Sequence, residues 1–429
     1  MAISCSPAKK IPAAPPVTTV PTPATPTPVI PVVKANDAGD VFFENIFKNY
    51  PGVFNDVLAK RQDLNVQIIY TEINRDKNGN PSFQQHFFNK SNARYFYPAS
   101  TVKFPVALLA LQRLNELADK GINRNSTMIT EAAYGGQTAV YNEPNSPDGR
   151  PTIANYIKKI FLVSDNDAFN RLYEFLGQEY INDELHKKGF KDVAIQHRLN
   201  IFLSEDENRH TNPINFYDSN MRLLFAQPMQ FNKKAFAKRT DSIGKAHYAG
   251  GQLVNRPMDF SKKNRLELQD LNAMLTGLIF PNSVKPNQRF NLTEDDRRFV
   301  MQYMSQFPGE TVYPAYDSSY QDSYIKHLLY GNMRGSLPKN IRIFNKSGTA
   351  YGQLVDAAYI VDYEKNIEFI VSAAILCNTD NVMNDDKYDY ETIGLPFMKN
   401  LGRALYDYEL KRKRVYQPDL SVVKFSYDK

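Results

Sequence analysis

The chain has 429 residues, 42% hydrophobic and 23% charged, an ordinary globular balance that excludes global disorder. Its net charge of +6 is modest, and no apolar run reaches the roughly 18 residues of a membrane-spanning helix. Two cysteines, Cys5 and Cys377, give no disulfide framework, and six scattered histidines give neither a metal site nor a cofactor.

Residues 1–40 read as a Pro/Thr-rich tether, because prolines at nearly every third or fourth place from 6 to 36 favour extended conformations over a packed core. Ala2-Ile3-Ser4-Cys5 resembles a bacterial lipoprotein cleavage site, which would make Cys5 a point of membrane attachment; a chance cysteine in a tail is the equal alternative. Val41 to Lys60 places apolar residues at helical spacing, broken by Pro51. Asn65–Asn74 alternates apolar and polar residues, Asn78-Gly79 marks a tight turn, and Ser82–Asn89 returns, which predicts a β-hairpin. A strongly apolar helix follows from Ala99, with Ser100 at its N-terminus and Pro105 close to the first turn. Helices are expected at Thr152–Lys159 and Asp167–Leu176, on either side of Ser164-Asp165-Asn166, and at Tyr180–Lys188. Residues 231–265 hold nine Lys or Arg against two acids; with no nucleic-acid signature beside them, they read as solvated surface. Strands are expected at Ile341–Asn345, Asp356–Asp362 and Ile367–Cys377, then a helix from Thr392 to Leu410 and a tail over 416–429. The fold class is therefore α/β (α+β): an antiparallel sheet of about five strands built from both ends of the chain, flanked by helices, plus a helical subdomain.

A nucleophilic serine needs a base within reach, and Ser-x-x-Lys puts hydroxyl and amine on one helical face. The pattern occurs seven times, at Ser6, Ser100, Ser242, Ser323, Ser336, Ser421 and Ser426, so spacing alone selects none of them. Only Ser100 begins a strongly apolar helix, where burial of Lys103 favours its neutral form and the helix terminus favours developing negative charge. Ser164-Asp165-Asn166 at a helix break and Lys346-Ser347-Gly348 at a strand end each occur once.

These three motifs, with Arg94-Tyr-Phe-Tyr-Pro-Ala-Ser-Thr-Val-Lys103, Thr152-Ile-Ala-Asn-Tyr-Ile157, Leu292-Thr-Glu-Asp-Asp-Arg-Arg298 and Met333-Arg-Gly-Ser-Leu-Pro-Lys339, resemble the penicillin-recognising serine hydrolases, specifically the class A β-lactamase catalytic domain, over most of residues 41–410. The resemblance implies one domain over 41–415 with an insertion around 214–264. It implies that Ser100 attacks an amide carbonyl, Lys103 takes its proton and Ser164 passes a proton to the leaving nitrogen. It further implies that Asn166 holds the substrate's side-chain amide, Lys346 and Ser347 bind its carboxylate, and Gly348 leaves room for it. The backbone N–H groups of Ser100 and Thr349 would form the oxyanion hole. The implied partner is a β-lactam or a peptidoglycan-derived peptide, with no nucleic acid, for a monomeric periplasmic or cell-envelope protein.

One departure bears on the chemistry. Where the family carries the glutamate that activates the deacylating water, Gln196-His-Arg-Leu-Asn200 keeps the arginine as Arg198 but has Asn200 in the glutamate's place. Glu205 and Glu207 follow nearby, and acids in a loop are as a rule solvated. A β-lactam hydrolase, a D-alanyl peptidase or cell-wall amidase, and a non-turnover penicillin-binding or sensing lipoprotein all remain open at this point.

Overall fold

The structure, a computed structural model, describes residues 41–429; the tether and Cys5 lie outside the described residues. Strands β1 (Gln67–Arg75) and β2 (Pro81–Phe88) form the expected hairpin, and β3 (Ile341–Ala350), β4 (Gln353–Asp362) and β5 (Ile367–Leu376) are the three late strands. They make one antiparallel sheet in the order β3-β4-β5-β1-β2, with Gln67 opposite Ala374 where the two ends of the chain meet. The central strands β4 and β5 are buried along their whole length, and their sequences read as continuous apolar runs because helices cover both faces.

One face is covered by the helices Val41–Lys48 and Leu395–Lys411, packing Phe43, Phe47, Leu401 and Leu405 against Tyr70, Ile360 and Phe369. The opposite face meets the helical subdomain, whose centre is the apolar helix Lys103–Glu116, all but wholly buried. The helices Ile153–Val163 and Asn166–Leu176 meet at Ser164, and Gln178–Lys187 follows without a linker. The 41–60 region divides as its Pro51 predicts, into Val41–Lys48 and Asn55–Ala59.

The segment 214–264 contains several short strands. Ile214–Tyr217 pairs between Thr127–Thr130 and Leu223–Gln227, while Ala246–Ala249 and Gln252–Val254 form a hairpin whose first strand, Ala246–Ala249, pairs in parallel with Val382–Met383. A small core of Tyr97, Ala99, Ile243, Phe260, Leu376 and Met383 ties this segment to the residues just before Ser100. Four of the nine basic residues of this stretch are paired: Lys234 with Glu179 and Asp183, Arg239 with Asp241, Lys262 with Glu205, and Arg265 with Asp241 and Glu267.

Residues 416–429 differ from the expected tail. Leu420 and Val423 are buried, Phe425 packs on Phe344, and Tyr427 lies over the Arg342 guanidinium, which is itself paired with Glu310. Spaced singly among polar residues, these anchors carry no periodicity that the sequence reading could use.

Candidate active site

Ser100 stands in a single 3₁₀ turn, Ala99–Val102, that leads directly into the helix at Lys103. Ala99 has φ +47°, a left-handed conformation that costs a non-glycine residue energy, and it lies between Pro98 and the helical turn that carries Ser100. The side of this turn lies against β3. A Cβ on Gly348 would come within 2.7 Å of the Ser100 nitrogen and 2.9 Å of the Pro98 oxygen, so glycine here makes room for the nucleophile's own backbone.

Lys103 is completely buried and its ammonium nitrogen Nζ lies 2.5 Å from the Ser164 carbonyl, 2.7 Å from Asn166 Oδ1 and 3.3 Å from Ser164 Oγ. Burial, reinforced by the charge of Lys346, holds its pKa well below the usual lysine range, against a weaker opposing pull from Asp165. A neutral amine donates two hydrogen bonds and keeps a lone pair, so donation to the Ser164 carbonyl and Asn166 leaves that lone pair free for the Ser100 proton. Ser100 Oγ makes no hydrogen bond among the described residues, as is usual before substrate tightens a site.

Ser164 is held by its position between two helices. It ends Ile153–Val163 in the left-handed conformation, φ +59°, and Asp165 then caps the next helix by accepting from the Ala168 N–H. Its hydroxyl accepts from Lys346 Nζ at 2.8 Å, across 182 residues of chain. Lys346 also donates to the Ser347 carbonyl, and burial pushes its pKa down to about 7 while Asp356 beneath it pulls the other way. Lys103, Ser164 and Lys346 thus form an unbroken polar run.

Above this run opens a cleft of about 420 Å³, lined in part by Ser100, Asn166, Asn200 and Thr349. The structure therefore brings Ser100, Lys103, Ser164, Lys346, Asn166, Gly348 and Thr349 together. Ser347 is placed differently: it is 2% exposed and does not line the cleft.

The loop carrying Asn200 is anchored from below. Arg198 donates to Glu174 at 2.9 Å with both side chains buried, and Asn170 bonds both the N–H and the carbonyl of Leu199. Asn200 itself is exposed at φ +53°, a conformation that asparagine tolerates better than most residues. Glu205 is engaged with Lys262 and Arg209, and Glu207 completes a capping box with Ser204; neither lines the cleft. Sequence reading passed over Lys263 and Asp386, which do line it, since a single charged residue in an irregular loop carries no pattern.

A family model described as the beta-lactamase enzyme family matches residues 53–408. Among solved structures, a β-lactamase from Sphaerobacter thermophilus is similar at 13% identity over 85% of this chain and 99% of that one, with a TM-score of 0.44. The β-lactamase from Streptomyces albus G is similar at 12% identity over 85% and 99%, TM-score 0.44, and one from Burkholderia phymatum at 12% over 85% and 98%, TM-score 0.45. A comparison with curated proteins finds no match.

Proposed function

The chain belongs to the beta-lactamase enzyme family, within the superfamily of serine β-lactamases and penicillin-binding proteins, and on that premise we propose that it forms an acyl-enzyme at Ser100 and hydrolyses a β-lactam or a related peptide amide. The observation that carries this reading is the buried run from Lys103 through Ser164 to Lys346 beneath Ser100.

In the proposed mechanism Ser100 Oγ adds to the amide carbonyl as Lys103 Nζ takes its proton. The oxyanion is received by the backbone N–H groups of Ser100 and Thr349. Collapse breaks the carbon–nitrogen bond, Ser164 Oγ hands its proton to the leaving nitrogen, and the two lysines beside it resupply that proton. Lys346 adds positive charge for the substrate's carboxylate, and Asn166, on the cleft side of Lys103, receives its side-chain amide. Water then cleaves the ester. The reading carries with it a periplasmic or cell-envelope site of action.

A second reading, a D-alanyl peptidase or penicillin-binding protein with a long-lived acyl-enzyme, is favoured by Asn200, which is no general base, and by the commitments of Glu205 and Glu207 elsewhere.

The test is intact-mass spectrometry of the protein mixed with penicillin, sampled from seconds to hours, with Ser100→Ala as control. A covalent adduct that forms and decays supports hydrolysis, one that persists supports the second reading, and an undiminished adduct in Ser100→Ala would show that the nucleophile lies elsewhere.

A further inference from the structure

Two charges face the cleft without partners. Of the basic residues in 231–265, Lys263 is the one that lines the cleft; Lys234, Arg239, Lys262 and Arg265 are all held by carboxylates, whereas Lys263 has no ion pair among the described residues. Its ammonium instead stands 5.8 Å over the Tyr351 ring. On the loop after β5, the aspartates have a similar division of labour. Asp380 accepts from the Val382 N–H, Asp385 from the Lys387 N–H, and Asp389 from the N–H and hydroxyl of Thr379. Asp386, which lines the cleft, accepts nothing among the described residues and is held at φ +59°. Tyr351 connects the two sides, because it carries Lys263 over its ring while the next residue, Gly352, abuts the ring of Tyr388 near Asp386.

Lys233, Lys238, Lys245 and Arg256 also have no ion pair among the described residues, but none of them lines the cleft; Lys263 and Asp386 do, and are left for something that enters it. Lys263 comes from the inserted segment and Asp386 from the loop to which that segment is joined by the Val382–Met383 strand, so a single pairing fixes both walls. Resting on the acyl-enzyme reading, we propose that Lys263 and Asp386 form a subsite for an acyl donor whose side chain carries both a carboxylate and an ammonium group. The carboxylate meets Lys263, the ammonium meets Asp386, and the aliphatic part lies along Tyr351.

The test uses two cephalosporins that share a nucleus and differ in the acyl side chain. Cephalosporin C carries a zwitterionic aminoadipyl group and cephalothin an uncharged thienylacetyl group. Binding of each is measured by calorimetry on Ser100→Ala protein, which holds the ligand without reacting, alone and combined with Lys263→Ala or Asp386→Asn. The expected result is tighter binding of cephalosporin C, with each added substitution weakening it about fivefold and leaving cephalothin unchanged. Equal or weaker binding of cephalosporin C, or a loss in one variant only, overturns the proposal. Failure of the wild-type protein to form an adduct with either drug would count against the acyl-enzyme reading instead, and the binding preference is read independently of it.

Discussion

The floor and the rim of the cleft are built on opposite plans. On the floor, Lys103 starts a helix, Ser164 ends one and Lys346 stands in the middle of β3; the two lysines are buried, and both donate to the Ser164 hydroxyl. At the rim, Asn200, Lys263 and Asp386 lie in loops, exposed or half-buried, with few or no side-chain partners. Phe202 beside Asn200 is fully exposed. Chemistry that must run identically at every turnover is assigned to groups whose positions are over-determined, and recognition is assigned to groups free to meet a ligand.

The contrast can be broken most severely at Lys103. Lys103→Met removes the base and is expected to slow acylation about a thousandfold, measured by the rate of adduct formation. In the wild type the same rate should climb with pH as the amine loses its proton, and level off well below the ordinary lysine range, since burial holds that pKa down; a rate still rising at pH 10 would contradict a neutral Lys103.

Gly348→Ala disturbs the floor through the Ser100 backbone, without removing any side chain of the site. The added methyl must displace the Ser100 backbone, and a shift on the order of 1 Å is expected to lower the acylation rate roughly a hundredfold. An unchanged rate would show that the close approach of β3 to Ser100 is unimportant.

Asn200→Glu sharpens the comparison from the rim. It is expected to leave acylation unchanged and to shorten the adduct's lifetime about tenfold, because a carboxylate returns to the place where water must be activated. If the lifetime is unaltered, the anchored loop does not bring this position to the ester.

The same division explains what could be read from sequence. The sheet was legible because β4 and β5 are continuous apolar runs and β1 alternates, and the floor because two of its motifs sit at helix ends and the third occurs once in the chain, although β3 runs through Lys346-Ser347-Gly348 to Ala350 rather than ending at Asn345 as expected. The strands of the inserted segment, such as Ser242–Ile243 and Met258–Asp259, are too short for periodicity to register. Residues 416–429 escaped notice because their hold on the domain consists of isolated anchors, Tyr427 on Arg342 and Phe425 on Phe344. Ser323-x-x-Lys326 shows the limit of motif logic: Lys326 is also wholly buried, but its nitrogen donates to the Ile343 carbonyl and to Asn345 Oδ1, tying its own segment to β3, and it does not line the cleft. Lys263 and Asp386 became visible only once the partners of their neighbours were known.

The pairing of β1 with β5 also sets a timetable for synthesis. The hairpin β1–β2 leaves the ribosome early, yet the strand beside it is among the last to emerge. Until then the sheet is missing three of its five strands and the β1 edge stays open, a surface on which other chains can pair. Ser164 waits just as long for Lys346. On the proposed reading, a nascent chain therefore carries Ser100 without the lysine that completes the polar run beneath it, and reactivity would arrive only once β3 has joined the sheet.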